Sequence, residues 1–197
     1  MRNRIAQPLA KKRIPRYVMA VYTRMHHMTA SIDFGISEVL KNWFVNHVRS
    51  FADPDPGIQQ NIDLKNVHSR CVARESVRLG KKLGLRNGEL RLAEIIGLLH
   101  DVGRFEQYAR FRTFVDRISV NHAELGVRIL TAAGILDVIR PDIRNVILKS
   151  VAWHNRPSLP DHETETILDH AKLLRDADKL DIWKVVIGEI FDFIRIA

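Results

Sequence analysis

The sequence has few of the features that mark secreted or membrane-spanning proteins. It contains one cysteine, Cys71, in 197 residues, so no internal disulfide can form and a reducing cytoplasm is expected. No stretch approaches the ~20 consecutive apolar residues that a membrane span requires. The apolar run from Tyr17 to Tyr22 is too short for the core of a signal peptide. We therefore expect a cytoplasmic protein that does not work within a membrane.

Acidic residues are missing from the first 32 positions, which carry seven basic ones: Arg2, Arg4, Lys11, Lys12, Arg13, Arg16 and Arg24. Because the whole chain has a net charge of +8, residues 33–197 carry a net charge of only +1. We predict a basic N-terminal arm, residues 1–32, followed by one folded domain, residues 33–197. The arm either binds nucleic acid or an anionic surface, is a flexible tail, or precedes a translation start at Met19, Met25 or Met28. A flexible tail is favoured over nucleic-acid binding.

Neither β-type alternation of useful length nor an internal repeat is present, whereas apolar residues recur at helical spacing along most of the domain. Helices are predicted over Ser37 to Phe51, Asn66 to Leu83, Glu89 to Val102, Ser119 to Ala133, Pro141 to Trp153, and from Glu165 onward. This pattern predicts an all-α, single-domain bundle of seven or eight helices. The apolar end, Ile190 to Ile196, has two explanations. Either it packs on a partner, such as a second copy of the chain in a homo-oligomer, or the chain continues beyond residue 197.

A histidine and an aspartate, His100 and Asp101, stand together where the apolar run from Leu90 to Leu99 ends. Burying an unpaired carboxylate beside an imidazole costs free energy, because the charge loses its hydration. A divalent metal would compensate by taking both side chains as ligands. The alternative is an ordinary helix end, with Asp101 in solvent and Gly103 as the C-cap.

Other ligand-type residues occupy similar positions at the apolar edges of the predicted helices: His68, His122, His154 and Asp178. Each has a structural explanation by itself, but their joint occurrence favours a metal site. Imidazole and carboxylate ligands suit one or two divalent ions of Mn, Fe, Co, Ni or Zn, and Mg²⁺ is an option. Two ions that share a carboxylate could bind a phosphate and activate water between them.

The order of these residues resembles the H…HD…D signature of the HD-domain metal-dependent phosphohydrolases. Three local contexts carry the resemblance: Leu-Leu-His-Asp-Val-Gly-Arg at 98–104, Trp-His-Asn-Arg-Pro-Ser-Leu-Pro at 153–160, and Arg-Asp-Ala-Asp-Lys-Leu-Asp at 175–181. The similarity extends from about Asn66 to Trp183. It implies an all-α fold of the HD-domain type and hydrolysis of a phosphate ester.

The resemblance also assigns roles to residues. His68, His100, Asp101 and Asp178 match the ligands of one metal, whereas His122 and His154 match the additional ligands of dinuclear members, with Asp101 as the bridge. Arg104 would contact the substrate phosphate, and the nucleophile would be a water held by the metals. Lys179 is a weaker candidate for phosphate contact. Asp176 and Asp181 are candidates for orienting the ligands; the alternative for these three is a solvated charge.

The substrate class implied is a phosphomonoester or phosphodiester in a nucleotide or another small phosphorylated compound. The Gly-Tyr-Pro motif of the subgroup that hydrolyses cyclic-di-GMP is missing after His154, which argues against that substrate. Two alternatives stay open. One is a di-iron oxygenase with the same ligand set, and the other is a non-catalytic metal- or nucleotide-binding module whose basic arm recruits nucleic acid.

Overall fold

The structure is a computed structural model that describes the backbone of residues 30–196 and the side chains of residues 30–184. Over that range it contains α-helices and one 3₁₀ helix but no strand, so the predicted all-α fold is confirmed. No helix among the described residues is long and apolar enough to cross a membrane. The helices are α1 (Phe34–Arg49), α2 (Pro56–Lys82), α3 (Asn87–Leu99), α4 (Val102–Phe111), the 3₁₀ helix (Asp116–Ile118), α5 (His122–Ala132), α6 (Pro141–Trp153) and α7 (Glu165–Ile196).

The first two helices begin earlier than predicted, because aspartates cap them. The Asp33 carboxylate accepts a hydrogen bond from the backbone N–H of Ile36 at 2.8 Å, so α1 begins before Ser37, which is buried inside the helix. Asp55 caps α2 in the same way, and Pro56 follows it. Proline is tolerated in the first turn of a helix, where its missing N–H would have no partner.

The segment after His100-Asp101, which is not among the predicted helices, is a helix, α4. It ends at Arg112, whose φ of 54° is left-handed. The predicted start of the next helix at Ser119 is three residues too early. The Asn121 side chain caps α5 by accepting from the N–H groups of Ala123 and Glu124.

Helix α3 lies in the centre of the bundle. Its residues from Leu92 to Leu99 are buried except Glu94, and it contacts α1, α2, α6 and α7. A helix that is apolar around most of its circumference has to be covered on several sides. Since α3 ends at Leu99, His100 and Asp101 lie in the interior of the bundle, where both are buried.

The last residues of the predicted arm pack onto the start of α3. Ala30 and Ile32 are buried, the Ile32 N–H donates to the Gly88 carbonyl at 3.2 Å, and Arg91 Nε donates to the Ile32 carbonyl at 3.1 Å. Residues 30–32 therefore belong to the folded part. The rest of the arm, residues 1–29, lies outside the described residues.

Helices α4 and α5 meet at two glycines, Gly103 and Gly126. A Cβ atom on Gly103 would lie 2.1 Å from the His122 carbonyl oxygen and 2.7 Å from the Gly126 nitrogen. Both neighbours are backbone atoms, so they can move only if the helices move. The glycine at 103 is thus required for the approach that brings His122 towards Asp101.

We expect Gly103→Ala to separate α4 from α5 and to lower the free energy of unfolding by about 1–3 kcal/mol, as overpacking generally does. The measurement is urea unfolding followed by circular dichroism. Gly35→Ala is the matched control, because a Cβ there would only meet Asp33 Oδ1 at 3.4 Å. Equal free energies of unfolding for the two variants would show that the close approach of α4 and α5 does not require glycine at position 103.

Candidate metal centre

Five helices bring the six predicted ligand residues together in the core. His68 is in the middle of α2, His100 and Asp101 follow α3, and His122 is the first residue of α5. His154 directly follows α6, and Asp178 is in α7. The sequence separates these residues by up to 110 positions, and the bundle gathers them around the Asp101 carboxylate.

Asp101 is 2% exposed, and its two oxygens face different histidines. Oδ2 lies 3.7 Å from His68 Nε2 and 3.6 Å from His100 Nε2. Oδ1 lies 3.4 Å from His122 Nε2 and 3.6 Å from His154 Nε2. The carboxylate thus stands between two groups of donor atoms, in the position that a bridging ligand would take.

The spacing of the donor atoms suits metal ions. In the first group, Asp178 Oδ1 lies 3.1 Å from His68 Nε2 and 3.8 Å from His100 Nε2. In the second group, His122 Nε2 and His154 Nε2 are 2.9 Å apart. Ligand atoms that each lie about 2.1 Å from one ion are about 3–4 Å from one another. Both groups have this spacing.

Two of the imidazoles are fixed by backbone carbonyls. His100 Nδ1 donates to the Gly97 carbonyl at 2.7 Å, and His154 Nδ1 donates to the Val151 carbonyl at 2.7 Å. Since a carbonyl oxygen can only accept, each Nδ1 carries the proton. The neutral ring therefore presents the lone pair of Nε2 to the centre.

The other two imidazoles are fixed by carboxylates. His68 Nδ1 lies 2.8 Å from Asp181 Oδ2, and His122 Nδ1 lies 2.7 Å from Asp116 Oδ2. A carboxylate that accepts from the outer nitrogen of a metal-binding histidine fixes its tautomer and strengthens it as a ligand. All four histidines are thus oriented with Nε2 inward.

The donor set fits divalent metal ions, as two observations show. His100 Nε2 is buried and has no hydrogen-bond partner among the described residues, which is costly for a polar atom. The lone pairs of His154 Nε2 and His122 Nε2 face each other at 2.9 Å and repel. A cation bound by both nitrogens would turn this repulsion into attraction. His68, His100, Asp101 and Asp178 would hold one ion, and Asp101, His122 and His154 a second.

The protonation states suit the same role. Burial lowers the pKa of His100 to about 4 and that of His122 to about 4, so both rings are neutral at neutral pH and able to bind metal. Burial by itself would raise the pKa of Asp101, but the neighbouring His100 imidazole and the Lys65 ammonium group hold it well below its usual value. Asp101 is therefore an ionised carboxylate within the core.

Lys65 is a site residue that was not predicted from the sequence. Its Nζ is 2.9 Å from Asp101 Oδ2 and 5.3 Å from the centre of the Phe114 ring. Lys65 precedes His68 by three positions, so the two side chains share one face of α2. That spacing was a usable signal, because a helix that presents a ligand inward presents its neighbour one turn earlier in the same direction.

Asp116 is the second site residue that was missed. Its carboxylate accepts from His122 Nδ1, Arg104 Nη1, Gln107 Nε2 and Asn155 Nδ2. These bonds tie the 3₁₀ helix to α4, α5 and the end of α6. Nothing in the sequence distinguishes Asp116 from other aspartates in connecting segments.

Arg104 lies against Asp101, with Nε 3.6 Å from Oδ1. Its Nη1 is held elsewhere, since it donates to the Phe114 carbonyl at 2.5 Å, to Gln107 Oε1 at 2.8 Å and to Asp116 Oδ1 at 2.9 Å. Nε is buried and has no hydrogen-bond partner among the described residues. The guanidinium thus anchors the segment after α4 through Nη1, and its Nε–H is directed at the Asp101 carboxylate.

Of the charged residues around Asp178, the structure brings only Asp181 to the centre. Lys179 is exposed and lines a separate surface groove together with Asp176, Leu79 and Trp183. The reason is helical geometry: Asp181 is almost one turn after Asp178 and shares its face, whereas Lys179 is rotated by about 100°. Among the described residues, neither Lys179 nor Asp176 therefore has a contact that would support its predicted role.

Comparison with known proteins agrees with this geometry. The model of the HD domain matches residues 67–183, more than half of the chain and almost the range of the resemblance noted in the sequence. The chain therefore belongs to the HD domain family, a family of metal-dependent hydrolases. No curated protein matches the chain.

The fold is similar to that of a predicted HD superfamily hydrolase from an uncultured Thermotogales bacterium, whose crystal structure is known. The two chains are 22% identical, the TM-score is 0.51, and the similarity covers 77% of this chain and 74% of the other. At this level of identity the likeness concerns the fold alone.

We expect the purified protein to bind roughly two Mn²⁺ ions per chain, as a shared carboxylate allows, and Asp101→Ala to lose both.

Asp116→Ala should lower the affinity for the second ion alone, by about 10–100-fold, because it removes the acceptor that orients His122. Metal analysis after dialysis and calorimetric titration measure these effects. Asp142→Ala, at an exposed ion pair with Arg140, is the control. A single ion that survives Asp101→Ala would contradict the bridging role.

Proposed function

We propose that the protein hydrolyses a phosphomonoester or phosphodiester bond in a nucleotide or another small phosphorylated compound, with one or two divalent metal ions as cofactors. The observation that carries the proposal is the Asp101 carboxylate, which stands between two groups of metal-type donors and touches two cationic side chains, Lys65 and Arg104. Such a site combines ligands for metal with positive charge for an anionic substrate.

Divalent ions held by these residues would polarise a phosphoryl oxygen and lower the pKa of a water molecule, so that it can attack phosphorus. The bond from the water oxygen to phosphorus forms as the ester P–O bond breaks, and the departing oxygen takes up a proton. The residues of the chain supply the surroundings of this reaction.

Lys65 and Arg104 supply positive charge where the phosphoryl group gains negative charge. Lys65 Nζ and Arg104 Nε lie on opposite sides of Asp101, at Oδ2 and Oδ1 respectively. Donors fixed before the substrate arrives need no reorganisation during the reaction, which is why they stabilise a transition state effectively. The Arg104 guanidinium is fixed in this sense by its three bonds from Nη1.

The direct test is hydrolysis by the purified full chain after removal of metal and reloading with Mn²⁺, Co²⁺, Ni²⁺, Zn²⁺ or Mg²⁺. A panel of phosphomonoesters, phosphodiesters and nucleotides is assayed by release of phosphate or of the alcohol. We expect turnover of at least one class with one of these metals and none with Asp101→Ala. Uptake of oxygen by the iron-loaded protein, without hydrolysis of any ester, would instead support an oxygenase.

Arg104→Ala should lower kcat by about 10²–10³-fold, the usual cost of removing one donor that stabilises transition-state charge. The metal content should stay close to that of the wild type, since the guanidinium is not a ligand. Arg110→Ala is the matched control, because Arg110 lies in the same helix but is exposed and paired with Glu106. Unchanged kcat in Arg104→Ala, measured at saturating substrate, would remove Arg104 from the proposed mechanism.

A further inference from the structure

An apolar groove of about 240 Å³ adjoins the metal centre. Its apolar walls are Leu64, Val67 and Cys71 from α2 and Ile182 from α7, and its polar lining consists of Lys65, His68 and Asp181. Leu64, Val67 and Cys71 follow one another at helical spacing and therefore share one face of α2. Leu64 is 55% exposed, Val67 57% and Ile182 47%. The apolar surface is thus concentrated beside the site.

Lys65 and His68 connect the groove to the centre. Both line the groove, whereas Lys65 Nζ reaches Asp101 Oδ2 at 2.9 Å and His68 Nε2 reaches Asp178 Oδ1 at 3.1 Å. A phosphate that Lys65 contacts at the centre would have its substituent next to the apolar walls. The positive charge of Lys65 would therefore face the phosphate of an ester, and the apolar walls would face the organic group attached to it.

The polar side chains of the groove have partners within the protein. His68 Nδ1 is bonded to Asp181 Oδ2 at 2.8 Å, and Cys71 Sγ accepts from Arg74 Nη2 at 3.0 Å. A sugar or another polyhydroxyl group would therefore lose more hydration than these few polar side chains can replace, at a cost in free energy. An aryl or alkyl group has no such cost and is attracted by the apolar walls.

We infer that the substrate is a phosphate ester whose substituent is a small aryl or alkyl group, held in the groove between α2 and α7 while Lys65 binds the phosphate. This inference rests on the proposed function and narrows its substrate class. The volume of the groove lies below the range of about 300–1,000 Å³ that is typical of sites for drug-sized ligands, so the substituent is the size of one ring or a short chain.

Binding can be tested separately from catalysis with two non-hydrolysable phosphonates. The Mn²⁺-loaded full chain is titrated in a calorimeter with benzylphosphonate and with 2-hydroxyethylphosphonate. We expect the benzyl compound to bind roughly tenfold more tightly, the order of preference that a few apolar carbons give in a hydrophobic pocket. Equal affinities, or the absence of binding by either compound, would overturn the inference.

Three variants assign the preference to the groove. Val67→Gln should reduce the ratio of the two affinities towards one, whereas Val39→Gln, at a valine of α1 that is 54% exposed, should leave the ratio unchanged. Lys65→Met keeps the apolar stem but removes the charge, so both phosphonates should weaken by a similar factor. A preference that survives Val67→Gln, or that disappears equally in Val39→Gln, would place the apolar contact elsewhere.

Turnover distinguishes this inference from the proposed function. Benzyl phosphate and glycerol phosphate both release an aliphatic alcohol, so the difficulty of bond breaking is similar and the groove decides the preference. We expect kcat/KM to be about tenfold higher for benzyl phosphate. Hydrolysis of both esters at equal kcat/KM would support the phosphohydrolase and contradict the groove. A benzylphosphonate preference without turnover of any ester would support the groove and contradict the hydrolase.

Discussion

The structure depends on one buried charge, the carboxylate of Asp101. A carboxylate in the interior loses its hydration and is tolerated only if other groups replace it. Here Lys65 and Arg104 approach its oxygens directly, and four imidazoles surround it. This requirement explains why five helices, distant in sequence, each direct a polar side chain to one point of an otherwise apolar bundle.

Two of the histidines are oriented by the same kind of hydrogen bond, from the imidazole to a carbonyl of the preceding helix. His100 and His154 each follow the last residue of an apolar helix, and each donates from Nδ1 to the carbonyl three positions earlier, Gly97 and Val151. Carbonyls in the last turn of a helix have no partner within the helix, so they are available to the imidazole. A histidine directly after an apolar helix is therefore both buried and fixed in one tautomer by its own helix.

Local rules made much of this predictable from the sequence. Apolar periodicity predicted the helices, and the six ligand-type residues were singled out because each stands at the edge of an apolar segment. Lys65 was detectable from its spacing to His68. Asp116 was not, because its role arises from the packing of α4 against α5 at Gly103, a tertiary contact without a pattern in the sequence. Lys179 lies apart from the centre because proximity in sequence is not proximity on a helix, where Asp181 is the neighbour of Asp178.

The two groups of donors are supported unequally. The first group stands on α2, α3 and α7, and its outer acceptors, Asp181 and the Gly97 carbonyl, belong to the same long helices. In the second group, the orientation of His122 depends on Asp116, which lies in a three-residue 3₁₀ helix without a buried residue. Elements with few buried contacts open at a lower free energy than the core. Asp116 also binds Arg104, so opening of that segment would release the His122 imidazole and the Arg104 guanidinium together. The His122 imidazole and the Arg104 guanidinium thus depend on one carboxylate, whereas the outer acceptors of the first group belong to other elements.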